Sequence, residues 1–418
     1  MRILQAVRSG ATFAAARDQY LAGLRERDRR LAYELAAGVL RSRADLDRAL
    51  ELTTADPRLH DILRLGAYQL RALARVPAYA AVSTSVDLAR EVAGEGGAAY
   101  LNQALRRLAE SGSREQGAVP SHPEWLLARW RKQFGENETA RLVAWNDAKP
   151  ALTLQPARWD ADTLRDRLQA AGFGVTEAPF GAGLQLARGT RAPPSPSSFP
   201  HPRQLPGFEE GGFIVQDAAH ALVCRFAAIP PGALTYDACA APGGKAVLLE
   251  RLGARIVAGD ARRDRMERLA QTARRAGVAI RLAVADLLSA PFAAETPAAV
   301  FVDAPCTATG TMARHPDARW RISLRAIARA AARQRALLDG AARLVPRGGL
   351  LVYATCSLEA EENSDIVNDF LGRHREFRRD RAPGTVPAEL LTGEGDFQSL
   401  PQRHGMDGAY AARCVRVR

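Results

Sequence analysis

Lysine is nearly missing from this 418-residue chain: Lys132, Lys149 and Lys245 are the whole complement, although Lys and Arg together number 58. Arginine therefore carries the net charge of +12. A lysine kept inside a glycine turn, as Lys245 is, marks a position unsuited to guanidinium, which differs from ammonium in size and donor geometry. Cysteine is scarce too. The thiols at 224, 239, 306, 356 and 414 are odd in number and widely spread, which excludes a disulfide framework and leaves no zinc-type spacing. No run approaches the roughly eighteen uncharged apolar residues of a membrane span, and the amino terminus, MRILQAVRSGATFAAARDQY, lacks a secretory apolar segment and cleavage pattern. These absences predict a cytoplasmic protein with reduced thiols, no membrane and no metal. What remains is a chain too long for one ordinary domain, with a basic balance suited to a polyanion such as nucleic acid.

Residues 1 to about 140 read as all-helical. Leu63, Gly66, Ala67 and Leu70 fall at i, i+3, i+4, i+7, as do Leu101, Ala104, Leu105 and Leu108, and Leu31, Leu35 and Val39 keep an i, i+4 stripe. Breaks at Asp56-Pro57, Val76-Pro77 and Glu95-Gly96-Gly97 separate the helices, and arginines such as Arg41, Arg43, Arg106 and Arg107 are left for the outside. SHPEWLLARWRKQFG, from Ser121 to Gly135, closes the bundle with Trp125 and Trp130 as packing residues. Residues 141–205 hold a small α+β module, with strands at ALTLQPARW and GLQLARG and a helix at TLRDRLQAAGF. It ends in the proline-rich linker from Arg191 to Pro206. From 206 to 418, strands at LTYD, RIVAGD, IRLAVAD, AAVFVDAP and GLLVYATC alternate with helices, which predicts a parallel sheet with right-handed crossovers. The terminal GAYAARCVRVR reads as an antiparallel strand at the sheet edge.

Three stretches of that region carry chemistry. Leu234 to Ala246, LTYDACAAPGGKA, is a strand, a small-residue turn and a helix start, placed where a doubly wound sheet binds its ligand. It matches neither G-x-G-x-x-G nor the P-loop, so nicotinamide and nucleoside-triphosphate sites are the weaker readings. FVDAPCTATGTMARHPDARW, 301–320, and LLVYATCSLEAEEN, 350–363, are each a buried strand ending in a polar turn with a cysteine. Asp260 ends the second strand, where a carboxylate accepts hydrogen bonds from ribose hydroxyls; Asp286 and Asp303 end the next two. Cys224 and Cys414 sit in apolar runs and read as buried structural thiols.

In order, the three stretches resemble the motifs of the NOL1/NOP2/Sun family of S-adenosylmethionine-dependent RNA cytosine-5 methyltransferases. DRRLAYELAAGVLR, LRLGAYQLRALARVPAYAAVSTSVDLA and LNQALRRLA resemble the NusB family of helical RNA-binding domains. The combination resembles the bacterial Fmu/Sun type, which acts on small-subunit ribosomal RNA. The resemblance implies an all-α NusB-like domain over 1–140, the small α+β module and linker over 141–205, and an α/β Rossmann-like class I methyltransferase domain over 206–418. It implies S-adenosylmethionine as cofactor, held by Cys239, Ala240, Ala241, Pro242, Gly243, Gly244, Lys245, Asp260, Asp286 and Asp303. It implies RNA as partner, and a monomer is expected.

Carbon 5 of cytosine is too electron-poor to take a methyl group unaided; a thiolate adding to carbon 6 makes it enamine-like. The resemblance assigns attack to Cys356 and release to Cys306, with Asp303 facing ring nitrogen 3 and Lys245 as its charged neighbour. Arg314, His315 and Arg319, with Trp320 beside them, are expected to grip phosphates around an extruded base. Glu361, Glu362 and Asn363 are expected to cap the following helix. Two positions depart from the family: Ala246 replaces the usual threonine, and the terminal signature reads Asp407-Gly408-Ala409-Tyr410. Three other readings stay open: the same chemistry on transfer RNA or large-subunit rRNA, a non-catalytic RNA-binding ribosome-assembly factor, and DNA methylation. Intact Cys306, Cys356, Asp303 and Lys245 speak against a retired site, and the family's DNA counterparts attack with the PC cysteine and have no use for TCS.

Overall fold

Helix starts in the amino-terminal third are written in its punctuation. Asp56 caps the helix Pro57–Ala72, its side chain accepting the Arg58 N–H, and Pro57 fills the first turn, where a missing N–H costs nothing. Pro77 likewise precedes the long helix Ala78–Glu110. The computed structural model describes residues 1–54, 56–111, 120–187, 201–289 and 292–417, so residues 191–200 of the expected linker lie outside the described residues. The chain forms two units, one of residues 1–149 with 312–322, the other of 150–311 with 323–418.

The first unit is helical. Leu63, Ala67, Leu101 and Leu105 are fully buried, so the two longer stripes face the core as their periodicity predicts. The Leu31 stripe holds only in part: Val39 is buried and Leu35 packs against the core, but Leu31 is 46% exposed, and the helix Glu26–Arg41 also buries Ala36, Ala37 and Leu40. The expected break at 95–97 is also displaced, because the chain turns at Gly94 (φ 69, ψ −168) within Ala78–Glu110. Trp130 is fully buried.

The second unit holds two sheets. The smaller has strands β1 (Thr153–Pro156), β2 (Val175–Glu177), β3 (Leu184–Leu186) and β4 (Phe213–Val215), in antiparallel order β2-β3-β1-β4. The larger has β5 (Leu234–Asp237), β6 (Arg255–Asp260), β7 (Arg281–Val284), β8 (Ala299–Asp303), β9 (Leu350–Thr355), β10 (Phe377–Arg379), β11 (Phe397–Ser399) and β12 (Ala409–Arg416). Their order is β10-β12-β9-β8-β5-β6-β7, with β11 also on β12. β5 to β9 are parallel. Every residue of β9 is buried, as expected of a strand covered by helices on both faces. β12 runs antiparallel to β9 but is interior, not an edge: β10 and β11 pair along its far side.

Because β5 lies between β6 and β8, the connections leaving these strands diverge at its carboxyl end, the topological switch point at which such sheets bind ligands. The turn there needs its glycine. Gly243 has φ +106, and a Cβ would lie 2.8 Å from Leu269 Cγ, so any other residue would be both strained and crowded.

Candidate active site

The three motif turns leave the carboxyl ends of β5, β8 and β9, which are adjacent in the sheet, and that adjacency brings Lys245, Asp303, Cys306 and Cys356 together. Lys245, in the first turn of the helix Gly244–Arg251, places Nζ 2.7 Å from Asp303 Oδ2 at the end of β8. Burial opposes the Lys245 charge, but the Asp303 carboxylate outweighs it and holds the ammonium above its ordinary value. Cys306 and Cys356 stand with their sulfurs 3.2 Å apart, both partly exposed. The turns are tied by backbone as well: Gly310 N–H donates to Cys356 C=O at 2.9 Å. Gly310 lies against Gly408, where a Cβ would come within 2.6 Å of the Gly408 backbone, so Asp407-Gly408 acts as a backstop for the PC turn.

Burial dominates the other thiols. Cys239, beside the aspartates 237, 303 and 260, is pushed up to about 12 by burial and then by their charges, which disfavours its thiolate in the turn after β5. Cys224 and Cys414 are buried as expected.

Asp260 is buried at the end of β6, accepting the Arg262 N–H at 3.0 Å and lying 3.3 Å from Arg265 Nη1. Arg265 also donates to Ala241 C=O, so it spans from the cofactor turn to Asp260, a link the sequence reading missed. Asp286 is exposed just after β7 and accepts the Leu288 N–H at 3.0 Å. Carboxylates 260 and 286 retain lone pairs for hydroxyl or amine donors, and Gly243 lets backbone approach a ligand, so the residues present suit a nucleoside cofactor with a ribose diol. Ala246 is fully buried in the apolar core, where a threonine hydroxyl would need a partner. Tyr410 is buried too and donates to Asp396, making it a core residue.

Two expectations are overturned. Arg319 is fully buried inside the helical unit: its Nη1 lies 2.6 Å from Asp147 Oδ1, and its Nη2 donates to Asn146 C=O at 2.8 Å. A guanidinium so enclosed has no face for a phosphate. Trp320 is held similarly, donating to Leu40 C=O at 2.7 Å under the Arg43 guanidinium. Arg314 is half-buried and His315 exposed in the same segment. Second, Glu362 and Asn363 do not cap the helix Ser364–Arg373; Asn363 makes no side-chain cap bond. Its Oδ1 accepts the Thr355 hydroxyl and its Nδ2 donates to Ser357 C=O, while Glu362 is buried between the cysteine turns.

Asp237 was also missed. It ends β5, is fully buried, and neither carboxyl oxygen meets a hydrogen-bond partner among the described residues. Burial and then the Asp303 charge push it up to about 8, against the pull of Lys245 and the nearby Cys239 N–H. The signal was present in the sequence as the polar end of an otherwise buried strand.

A doubly wound sheet with this motif-bearing switch point defines a Rossmann-like methyltransferase. Family models match the chain as 16S rRNA methyltransferase RsmB/F over 228–415, the NusB family over 1–110, and an RsmF/B-like ferredoxin-like domain over 122–192. A ribosomal RNA small subunit methyltransferase B of Xylella fastidiosa is 35% identical over 93% of this chain and 92% of its own. Its counterpart from Pseudomonas putida is 32% identical over 100% and 97%. The chain belongs to the RsmB/F family of 16S rRNA methyltransferases, with a NusB domain at its amino terminus. The fold recurs in the crystal structure of PH0851, at TM-score 0.80 and 24% identity over 99% of this chain and 98% of that one. It recurs also in NSun6 from Pyrococcus horikoshii with SFG, at TM-score 0.60 and 18% identity over 71% and 98%.

Proposed function

We propose that this RNA methyltransferase transfers a methyl group from S-adenosylmethionine to carbon 5 of a cytosine in small-subunit rRNA, position C967, through a cysteine adduct at carbon 6. The observation that carries the reading is the sulfur pair 3.2 Å apart beside the half-buried Lys245–Asp303 ion pair. Bound at the switch point, the cofactor supplies an electrophilic methyl on a sulfonium. The chain supplies the rest. Cys356 bonds to carbon 6, moving electron density through the ring toward carbon 5. Asp303, with the Lys245 charge beside it, stabilises the proton and charge at nitrogen 3. Once carbon 5 is methylated, a base takes its proton and the Cys356–carbon 6 bond breaks with Cys356 leaving as thiolate; assistance in that release is the role assigned to Cys306. Asp260 and Asp286 hold the ribose and adenine end, and the names of the relatives favour small-subunit rRNA over transfer RNA.

The test separates the two cysteines. With RNA and S-adenosylmethionine present, Cys306→Ala is expected to stall at elimination and give a protein–RNA band on a denaturing gel. Cys356→Ala and the double variant give none. A band from Cys356→Ala alone reverses the roles; no band from either removes the covalent route. Bisulfite sequencing of rRNA from cells with and without the chain locates the cytosine.

A further inference from the structure

One buried carboxylate near the sulfur pair is unused in the scheme above. Glu362 is fully buried. Its Oε2 accepts the Thr307 backbone N–H at 2.9 Å and Gln334 Nε2 at 3.0 Å, and its Oε1 accepts the Ser357 hydroxyl at 2.7 Å and the Thr307 hydroxyl. Thr307 follows Cys306 and Ser357 follows Cys356, so a single carboxylate bolts both cysteine turns. The bolt is itself fixed, because the Glu362 carbonyl accepts the Tyr353 hydroxyl at 2.6 Å and Gln334 also donates to Pro305 C=O at 3.0 Å.

Two sulfurs in hydrogen-bond contact cannot both ionise cheaply, since the second thiolate would set like charges side by side. In its nucleophilic state the pair holds one proton, and the sulfur that keeps it is the one that does not attack. The surrounding charges are asymmetric. Lys245, paired with Asp303, interacts with Cys356. Glu362 accepts from both the N–H and the hydroxyl of Thr307, the residue after Cys306, and the Cys306 thiol is held well above its ordinary value by its hydrogen bond to Cys356, by burial, and then by neighbouring charge that includes Glu362. Further titratable and charged neighbours are Tyr353 from β9 and Arg335 from the helix Leu324–Ala342, the latter 3.5 Å from Asp369.

We infer that Glu362 is a positioning residue that keeps the shared proton on Cys306 and so reserves Cys356 as the attacking sulfur. This deepens the proposed function and rests on its assignment of attack to Cys356. The Cys356 proton is lost to solvent before attack, while the Cys306 S–H remains and donates to the Cys356 thiolate.

The experiment uses the full chain with neither RNA nor cofactor. Brief iodoacetamide pulses across neutral to alkaline pH are read by mass spectrometry of the cysteine peptides; each thiolate displaces iodide, so the rate reports its ionised fraction. Glu362→Gln is nearly isosteric: Oε1 accepts the two N–H donors, Nε2 donates to the two hydroxyls, and only the charge goes. Cys356 is expected to label faster than Cys306 in the wild type. Glu362→Gln is expected to raise the Cys306 rate about tenfold, the effect of about one pK unit from a neighbouring charge. Gln334→Leu removes one bond of the bolt but keeps the charge, and is expected to preserve the selectivity. Should Glu362→Gln fail to match wild-type thermal unfolding, Glu362→Asp replaces it as a charge-retaining variant, with retained selectivity expected and its loss contrary. An unchanged Cys306-to-Cys356 ratio in Glu362→Gln, or an equal shift in Gln334→Leu, overturns the inference. Since alkylation needs no RNA, intact selectivity without a trapped band would sink the methyl-transfer reading alone.

Discussion

Asp237→Asn tests the electrostatics of the switch point most directly. The wild-type carboxyl sits at about 8, whereas in the unfolded chain it returns to about 3.9. Its folded value is raised, so the folded protein retains a proton that the unfolded chain releases. Stability is therefore greatest at low pH and is lost as pH rises from about 4 to about 8. Within that window one proton is released on unfolding, and each pH unit costs about 1.4 kcal/mol. From pH 5 to pH 7 the Asp237 contribution falls by roughly 3 kcal/mol, which for a unit of this size is about 5–12 °C in Tm. Asparagine does not titrate, and every other group is shared by the two proteins. The measured quantity is thus the difference in Tm, wild type minus variant, by calorimetry at pH 5, 6 and 7. It should become more negative as pH rises. Parallel Tm curves within about 2 °C would mean that Lys245 keeps Asp237 ionised in the folded state, refuting the reasoning.

Three further outcomes follow from the same geometry. Asp260→Ala should weaken S-adenosylmethionine binding by about 1–3 kcal/mol, the worth of hydrogen bonds to a charged group, with RNA affinity unchanged; equal cofactor affinity in titration calorimetry removes Asp260 from the site. Arg319→Met should destabilise the protein by about 2–4 kcal/mol, below the full cost of breaking a buried pair because Asp147 is 34% exposed, and urea unfolding measures it; a loss of RNA affinity without a loss of stability would restore its phosphate role. RNA affinity of the full chain should fall steeply with salt, as counterion release requires, and a flat log–log plot from filter binding would dismiss the basic surface as the docking element.

The sequence announced what is local and periodic. Leu63 to Leu70 and Leu101 to Leu108 faced the core because helical spacing and burial agree there. β8 and β9 were readable because strands buried on both faces must be apolar throughout. What escaped depends on partners far along the chain. Arg319 looked like a phosphate ligand in an arginine-rich chain, and only folding brings Asp147, 172 positions away, to neutralise it. Glu362 looked like a helix cap because its true partner, Thr307, is 55 positions distant. β12 was placed at an edge because β10 and β11 are three residues each, too short for a periodic signal.

The membership of residues 312–322 in the helical unit changes what counts as a separable part. The chain passes from one unit to the other at 149/150, again at 311/312 and back at 322/323, so the two are laced, not strung. A protease cut near residue 150 would leave the amino-terminal fragment clasping a loop that belongs covalently to the other piece. A recombinant fragment beginning at 206 would carry that loop without its socket, and the Arg319 guanidinium would be stripped of Asp147 and the Asn146 carbonyl. For anyone exchanging the helical unit for another, the part to be exchanged comes in two pieces: the helices and the eleven-residue tongue they enclose.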